Sequence, residues 1–410
     1  MRLLKKTLIF VAILVALKII LILLDKYSPY TILFHQSLVT ALQLLTFLWL
    51  IVSIIVGLFS RKNPGRGTRI TWIVLLVIIT AGELLFQFWL KHPRDIPQSM
   101  FTGFKDYYIH NYRNIVQVEK SCSEFDSAFF YRLRTNTECT FSNIEFSTSI
   151  KTNSLGLRDD EASLTAPGII CIGDSYTMGW GVNQQETFVD RLEKSTGMKA
   201  LNAGMSSFGT VRELRQLARL DTSNCKWVVL QYCNNDVAEI KPYLDSNYTL
   251  HTSGAAAYDT LVQRSEWNHA YYPGKTFFSV SMYALKGSIK KMMSRNKGGG
   301  EPKVNAGTAL ISVPESAKLF ADVLMHHADL FKNRSLIVLY AFEGGEKDTI
   351  FINSLQDLLK TSPYKEELNG PVYLVNTSTF LTPSDSFILD DHYNASGHQK
   401  IAEAIGRIIK

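Results

Sequence analysis

The sequence predicts an α/β protein: a parallel sheet covered by helices on both faces, preceded by three transmembrane helices and a small, mostly β lead-in. Three observations carry that expectation. Apolar, strand-like runs recur at 168–173, 199–203, 226–232, 335–341 and 371–376, and helical patterns alternate with them near 186–196, 210–220, 315–332, 346–360 and 395–409. The long apolar stretches are concentrated before residue 91. Between these regions the chain is polar and aromatic, with only weak alternation around 129–133 and 139–150.

At 410 residues the chain exceeds one typical domain. Residues 7–24 form an apolar run long enough to span a bilayer, interrupted only by Lys18. No small-residue cleavage site follows it, so it reads as an anchor and not as a removable leader. A second run covers 32–59 and a third 70–90. Arg2, Lys5 and Lys6 precede the first span, and Arg61, Lys62, Arg66 and Arg69 fill the loop before the third. That bias puts the N-terminus in the cytoplasm and, after three spans, everything beyond Leu90 outside it. Lys18, His35 and Glu83 then sit at matching depth, which predicts that Glu83 pairs with Lys18 and that His35 joins them.

The expected organisation is a membrane region at 1–91, a lead-in at 92–165 and an α/β domain at 166–410 with an insertion at about 240–312. The turn-rich TNSLGLRDDE closes the lead-in. The insertion carries Tyr258, Trp267, Tyr271, Tyr272, Phe277 and Phe278, aromatics suited to a lid or a substrate wall, and then SRNKGGGEPK, which reads as a solvated linker. The net charge of +6 is scattered, and no basic stripe interleaves with aromatics, which argues against a nucleic-acid partner. Five cysteines form no CxxC pair and no metal-ligand spacing, so no metal is called for. Cys171 and Cys233 read as buried small hydrophobes. Cys122 and Cys139 flank a polar segment; outside the cytoplasm, a bridge between them and a pair of free thiols are even readings.

The chemistry centres on GIICIGDSYTMGWG, residues 168–181. The run before Gly173 suits a strand buried on both faces, which puts Ser175 just past its carboxyl end, where open α/β sheets hold ligands. Asp174 reads as a brace for the turn. After the second strand comes LNAGMSSFGT, where Gly204 allows close backbone approach and can offer its N–H to an oxyanion. After the third comes QYCNNDVAE, where the Asn235 amide can supply a further donor, or Asn235 and Asp236 can cap a helix. The last block, LDDHYNASGHQKIAEAI, sets Asp390 and Asp391 beside His392; His398, farther on, reads as packing or capping. A hydroxyl nucleophile needs an adjacent base, and an imidazole needs a carboxylate to fix its tautomer.

These four blocks resemble those of the SGNH (GDSL-type) hydrolases: GDSYTMGWGV the first, NAGMSSFGT the second, NNDV the third and DDHYNASGH the last, over roughly residues 150–410. The resemblance implies a three-layer α/β/α fold with no metal or other cofactor. It implies Ser175 as nucleophile, an oxyanion hole of the Ser175 and Gly204 N–H groups with Asn235, and His392 as general base and acid. Two departures stand out. Leu389 occupies the position three before the histidine where the family commonly has its aspartate, leaving Asp390, favoured, or Asp391 to orient His392. Cys233 replaces the glycine that usually opens the third block. Spans and resemblance together imply a membrane-anchored, extracytoplasmic serine esterase acting on an O-acylated glycan or envelope component. The alternatives are an O-acyltransferase working with a membrane partner and a catalytically silent glycan-binding scaffold.

Overall fold

The structure is a computed structural model that describes residues 66–294, 303–307, 309–341, 345–368 and 370–410. The spans expected at 7–24 and 32–59, with Lys18 and His35, lie outside the described residues. The described residues form two compact units: one holds 66–113 with 259–294, the other 114–258 with the described residues from 303 to 410.

The first unit contains helices α1 (Arg66–Lys91) and α2 (Gln98–Tyr107). The third expected span falls within α1, but among the described residues no helix is long and apolar enough to cross a membrane. Its carboxyl half carries polar groups with partners in the same unit: the buried Glu83 accepts hydrogen bonds from Gln87 Nε2 (2.8 Å), from the Tyr271 hydroxyl (3.3 Å) and from the Phe277 N–H (2.8 Å). Phe277 lies in the first turn of a helix at Lys275–Ser294, whose opening N–H groups lack intrahelical acceptors, so the carboxylate caps that helix.

The second unit opens with two antiparallel hairpins, β1 (Ser123–Asp126) with β2 (Phe130–Leu133) and β3 (Glu138–Ser142) with β4 (Ser147–Lys151). A disulfide between Cys122 and Cys139 ties the two together. Next comes the α/β layer: β5 (Ile169–Ile172), α3 (Ser175–Met178), α4 (Phe188–Thr196), β6 (Ala200–Asn202), α5 (Thr210–Leu217), β7 (Trp227–Tyr232) and α6 (Val237–Asp245). After α7 (Ala255–His269) and α8 (Lys275–Ser294), a short hairpin of β8 (Lys303–Ala306) and β9 (Ala309–Ser312) leads back to it. The layer ends with α9 (Val313–His326), β10 (Ser335–Tyr340), α10 (Glu346–Leu359), α11 (Tyr364–Leu368), β11 (Val372–Asn376) and α12 (Ala395–Ile409).

Five strands form one parallel sheet in the order β11-β10-β7-β5-β6. Residues of one parity, Ile169, Cys171, Val229, Ile337 and Leu339, pack with Phe188 and Leu192 of α4 and Ile401 and Ile405 of α12. On the other face, Tyr232 and Tyr340 meet Phe351 of α10, and Tyr232 also meets Phe320 of α9. Helices therefore cover both faces, which is why the strands read as unbroken apolar runs. The order reverses at β5, flanked by β6 and β7, so its carboxyl end is a topological switch point that opens a crevice.

His398 of α12 is buried, and its Nδ1 accepts the Phe188 N–H at 3.2 Å, capping α4. Burial, with Arg158 and Arg191 nearby, pushes its pKa down to about 3. Because the unfolded chain takes up this proton near pH 6.5 and the folded chain does not, the stabilisation is complete above that pH and is lost below it. The expected slope is up to about 1.4 kcal/mol per pH unit below about pH 6.5. Urea midpoints measured from pH 8 to pH 4 should show it, and His398→Gln should flatten it.

Candidate active site

Ser175 opens α3 directly after β5, and its position follows from the turn before it. Asp174 caps the helix, its Oδ1 accepting the Tyr176 N–H at 2.9 Å. Its Oδ2 accepts the Cys233 thiol at 3.4 Å, so the cysteine that replaces the expected glycine braces this turn from the neighbouring strand end. Gly173 has φ +158, and a Cβ there would lie 2.2 Å from Thr177 Oγ1, so only glycine fits between strand and helix. As the first residue of the helix, Ser175 also presents an N–H with no intrahelical acceptor.

Ser175 Oγ lies 2.7 Å from His392 Nε2. His392 Nδ1 is hydrogen-bonded to Asp390 Oδ1, which also accepts the His392 backbone N–H at 3.2 Å. Asp390 is fully buried, and its Oδ2 accepts Trp180 Nε1 at 3.2 Å. The Trp180 ring stacks on His392 with centroids 4.6 Å apart and planes 17° from parallel. Asp391 is different: its carboxylate is 46% exposed and 3.5 Å from Nδ1, while its backbone carbonyl accepts the Tyr176 hydroxyl. Leu389 is buried as part of the apolar packing.

The expected oxyanion donors need one correction. Gly204 does approach closely, but towards α3: a Cβ on it would lie 2.3 Å from Met178 N. Its N–H is donated to Asn202 Oδ1 at 3.1 Å. Ser207, three residues on, is held at φ +60 with no hydrogen-bond acceptor for its N–H among the described residues. Its loop is anchored to the turn before Ser175 by Met205 N–H to Gly173 O at 2.9 Å. Asn235 is exposed, and its side-chain amide has no partner among the described residues. Ser207 and Asn235 line the same cavity.

Sequence reasoning missed the groups that hold these loops in place. Glu145, in the β3–β4 turn, accepts the N–H groups of Ile388 (2.7 Å), Leu389 (2.8 Å) and Asp390 (2.9 Å), fixing the backbone that presents Asp390 and His392. Burial pushes its carboxyl up, and these three bonds pull it back. Tyr131 donates to Ser206 O and Gln117 to Ser207 Oγ, so the hairpin side also supports the Ser207 loop. Glu145→Ala removes three charge-assisted bonds from the loop carrying His392. The expected result is a fall in kcat of about 10²-fold, since small misplacements of a catalytic group cost that much, with KM nearly constant and partial rescue by Glu145→Gln. Equal losses in kcat and folded yield would make the residue merely structural.

Asp236 accepts the Thr210 hydroxyl at 2.9 Å, and Glu213 lies buried beside it. Burial, then neighbouring carboxylates, pushes both carboxyls well up, which limits negative charge next to the donors. Ligand-capable atoms of Asp174, Cys233 and Asp236 lie within 4.8 Å of one another, as do those of Asp390, Asp391 and His392. Protein hydrogen bonds already engage Asp174 and Asp390 in these sets.

No protein-family model matches the sequence, and neither does any curated protein sequence. Solved structures that align with it include a protein assigned to the lipolytic G-D-S-L family from Desulfitobacterium hafniense DCB-2, 15% identical over 58% of this chain and 98% of that one, with a TM-score of 0.28. An acetylxylan esterase from Geobacillus stearothermophilus is 16% identical over 59% of this chain and 94% of its own, with a TM-score of 0.30. An alpha/beta hydrolase enzyme from the metagenome of Lake Arreo, Spain, is 14% identical over 58% and 93%, with a TM-score of 0.29. Similarity at this level carries no argument about activity.

Proposed function

We propose that the protein is a serine ester hydrolase of the SGNH (GDSL) type acting on acyl esters of a glycan or envelope component. One observation carries the reading: the continuous Ser175–His392–Asp390 hydrogen-bond chain at the carboxyl end of the switch-point strand. Ser175 Oγ attacks the acyl carbonyl while His392 Nε2 takes its proton, and Asp390 holds the imidazole in the tautomer that leaves Nε2 free to accept. Charge on the carbonyl oxygen is met by the N–H groups of Ser175 and Ser207 and by the Asn235 amide. Collapse of the tetrahedral species breaks the ester C–O bond, and His392 returns its proton to the departing alcohol. Water, deprotonated by the same imidazole, then releases the acid from the seryl ester.

Placement outside the cytoplasm is supported by the Cys122–Cys139 disulfide, since such bonds persist in oxidising compartments. Anchoring is assigned to the apolar runs before residue 60, and a reporter fused after Lys410 tests it: activity only inside the cytoplasm would overturn the placement.

For the chemistry, acetate release from a small acetyl ester is measured alongside labelling by a fluorophosphonate. A label on Ser175, with turnover lost in Ser175→Ala, supports the reading. Turnover that survives this substitution defeats it.

A further inference from the structure

The β1–β2 hairpin has an unusual residue at the end of its loop. Asp126 pairs with Phe130 across the strands, and Asp126 Oδ1 accepts the N–H groups of Ala128 and Phe129, shaping the turn. The loop then closes with Phe130 at φ +76. Hairpin loops give such a left-handed position to glycine or asparagine, because a Cβ crowds the backbone there. A bulky aromatic in this conformation is a genuine outlier, and strain of this kind persists where the surroundings use it.

What Phe130 gains is its place. It lines a cavity of about 400 Å³, together with Ser207 and Asn235, the two residues whose donors face the reacting carbonyl in the proposed mechanism. That size falls within the range of small-ligand sites. The ring packs against Tyr258, edge to face at 5.9 Å, and the Thr252 hydroxyl donates to Ser127 O, tying the hairpin tip to a loop that lines the cavity. Other walls come from Arg212, Tyr243 and His251.

This lining selects among ligands. An acyl chain wants a continuous apolar tube, and hydroxyl, amide and charged groups interrupt this one. A phosphorylated or otherwise anionic ligand would meet Glu239, and the Arg212 charge is already paired with that carboxylate. A neutral pyranose ring suits both sides: its C–H face lies on an aromatic ring, whose face is electron-rich, and its hydroxyls reach the polar rim.

We infer that Phe130 is a stacking platform for the sugar residue that bears the ester, held in a strained backbone conformation to face the cavity beside Ser207 and Asn235. The inference rests on the esterase reading of Ser175, but it can fail or stand separately.

The test uses the full chain in detergent and the variant Phe130→Gly, which deletes the ring and suits the backbone angle. Acetate release is followed from an O-acetylated cellotriose and from methyl acetate, which has no ring to stack. The expected result is at least a tenfold fall in the ratio of kcat/KM for the glycan over methyl acetate, carried by KM, with Tm equal to or above that of the parent. An unchanged ratio, or a Tm that drops, would overturn the platform and leave Phe130 a structural residue. In parallel, calorimetric binding of the same acetylated trisaccharide is measured in a Ser175→Ala background. Phe130→Gly should weaken it at least tenfold there, and equal binding, or none in Ser175→Ala itself, overturns the subsite whether or not the parent hydrolyses esters. Turnover absent from the parent with binding that depends on Phe130 would instead defeat the esterase reading alone.

Discussion

Asp390→Asn is expected to lower kcat by about 10⁴-fold, while Asp391→Asn stays within about threefold of the parent. The difference follows from what each carboxylate touches. Asp390 accepts both His392 Nδ1 and the His392 backbone N–H, and its second oxygen accepts the Trp180 indole N–H, so these bonds of its carboxylate fix the imidazole and the tryptophan stacked on it. An amide at this position can turn its NH₂ towards Nδ1, which stabilises the tautomer with the proton on Nε2 and leaves no lone pair to accept from Ser175. Asp391 is half in solvent, where charge is screened and its interaction with the ring is weak. Steady-state rates on one small ester for both variants decide it. The reverse ranking would move the orienting role one residue along.

Arg158→Leu should cost about 4 kcal/mol of stability, the loss expected when a buried charged partner is removed and the groups it satisfied are stranded. Arg158 is fully buried, with Nη1 donating to the carbonyls of Met178 and Gly179 and Nη2 to those of Ser149 and Val182 and to Thr148 Oγ1. Three of these carbonyls lie at the end of α3 and in the turn carrying Trp180, where the helix has ended and cannot supply donors of its own. Burial lowers the guanidinium's pKa to about 10, with Glu186 opposing, so it stays charged at neutral pH. Arg158→Lys should recover little, because one ammonium cannot reproduce a planar fork directed at separated acceptors. Denaturant titrations of the variants measure both effects. A lysine variant as stable as the parent would show that charge alone matters here.

How much of the molecule is legible in its sequence depends on the range of the interactions concerned. The strands of the large sheet are buried on both faces, so each shows as an apolar run with turn residues after it, and β5, β7, β10 and β11 lie within a residue or two of the expected bounds. Ser175 directly follows β5, whereas Asp390 and His392 lie in the connection between β11 and α12 and reach Ser175 through the loop ahead of the last helix. The helices α7 and α8 carry no comparable signal, since Trp267 and Phe278 are exposed and no single apolar face marks the segment. Gly204 misleads for a physical reason: glycine signals a close approach without saying to what, and here it is a neighbouring helix. Ser207 carries no mark of its positive φ. Glu145 serves residues some 245 positions away through backbone N–H groups, which have no sequence signature at all.

The brace from the hairpins bears on how this protein can be dissected. A fragment beginning at Gly168 would contain Ser175, Asp390, His392 and all five strands of the parallel sheet, yet it would lack Gln117, Tyr131, Glu145 and Arg158, which bond the loops after β5 and β6 and the loop carrying His392. Such a fragment would hold Ser175 and His392 without the supports that align them. The smallest piece worth expressing starts ahead of Asn114 and is made where thiols can oxidise. Variants that abolish the proposed turnover should be sought in the hairpins as readily as in the motifs, because one stretch of chain holds the loops in place and another carries Ser175, Asp390 and His392.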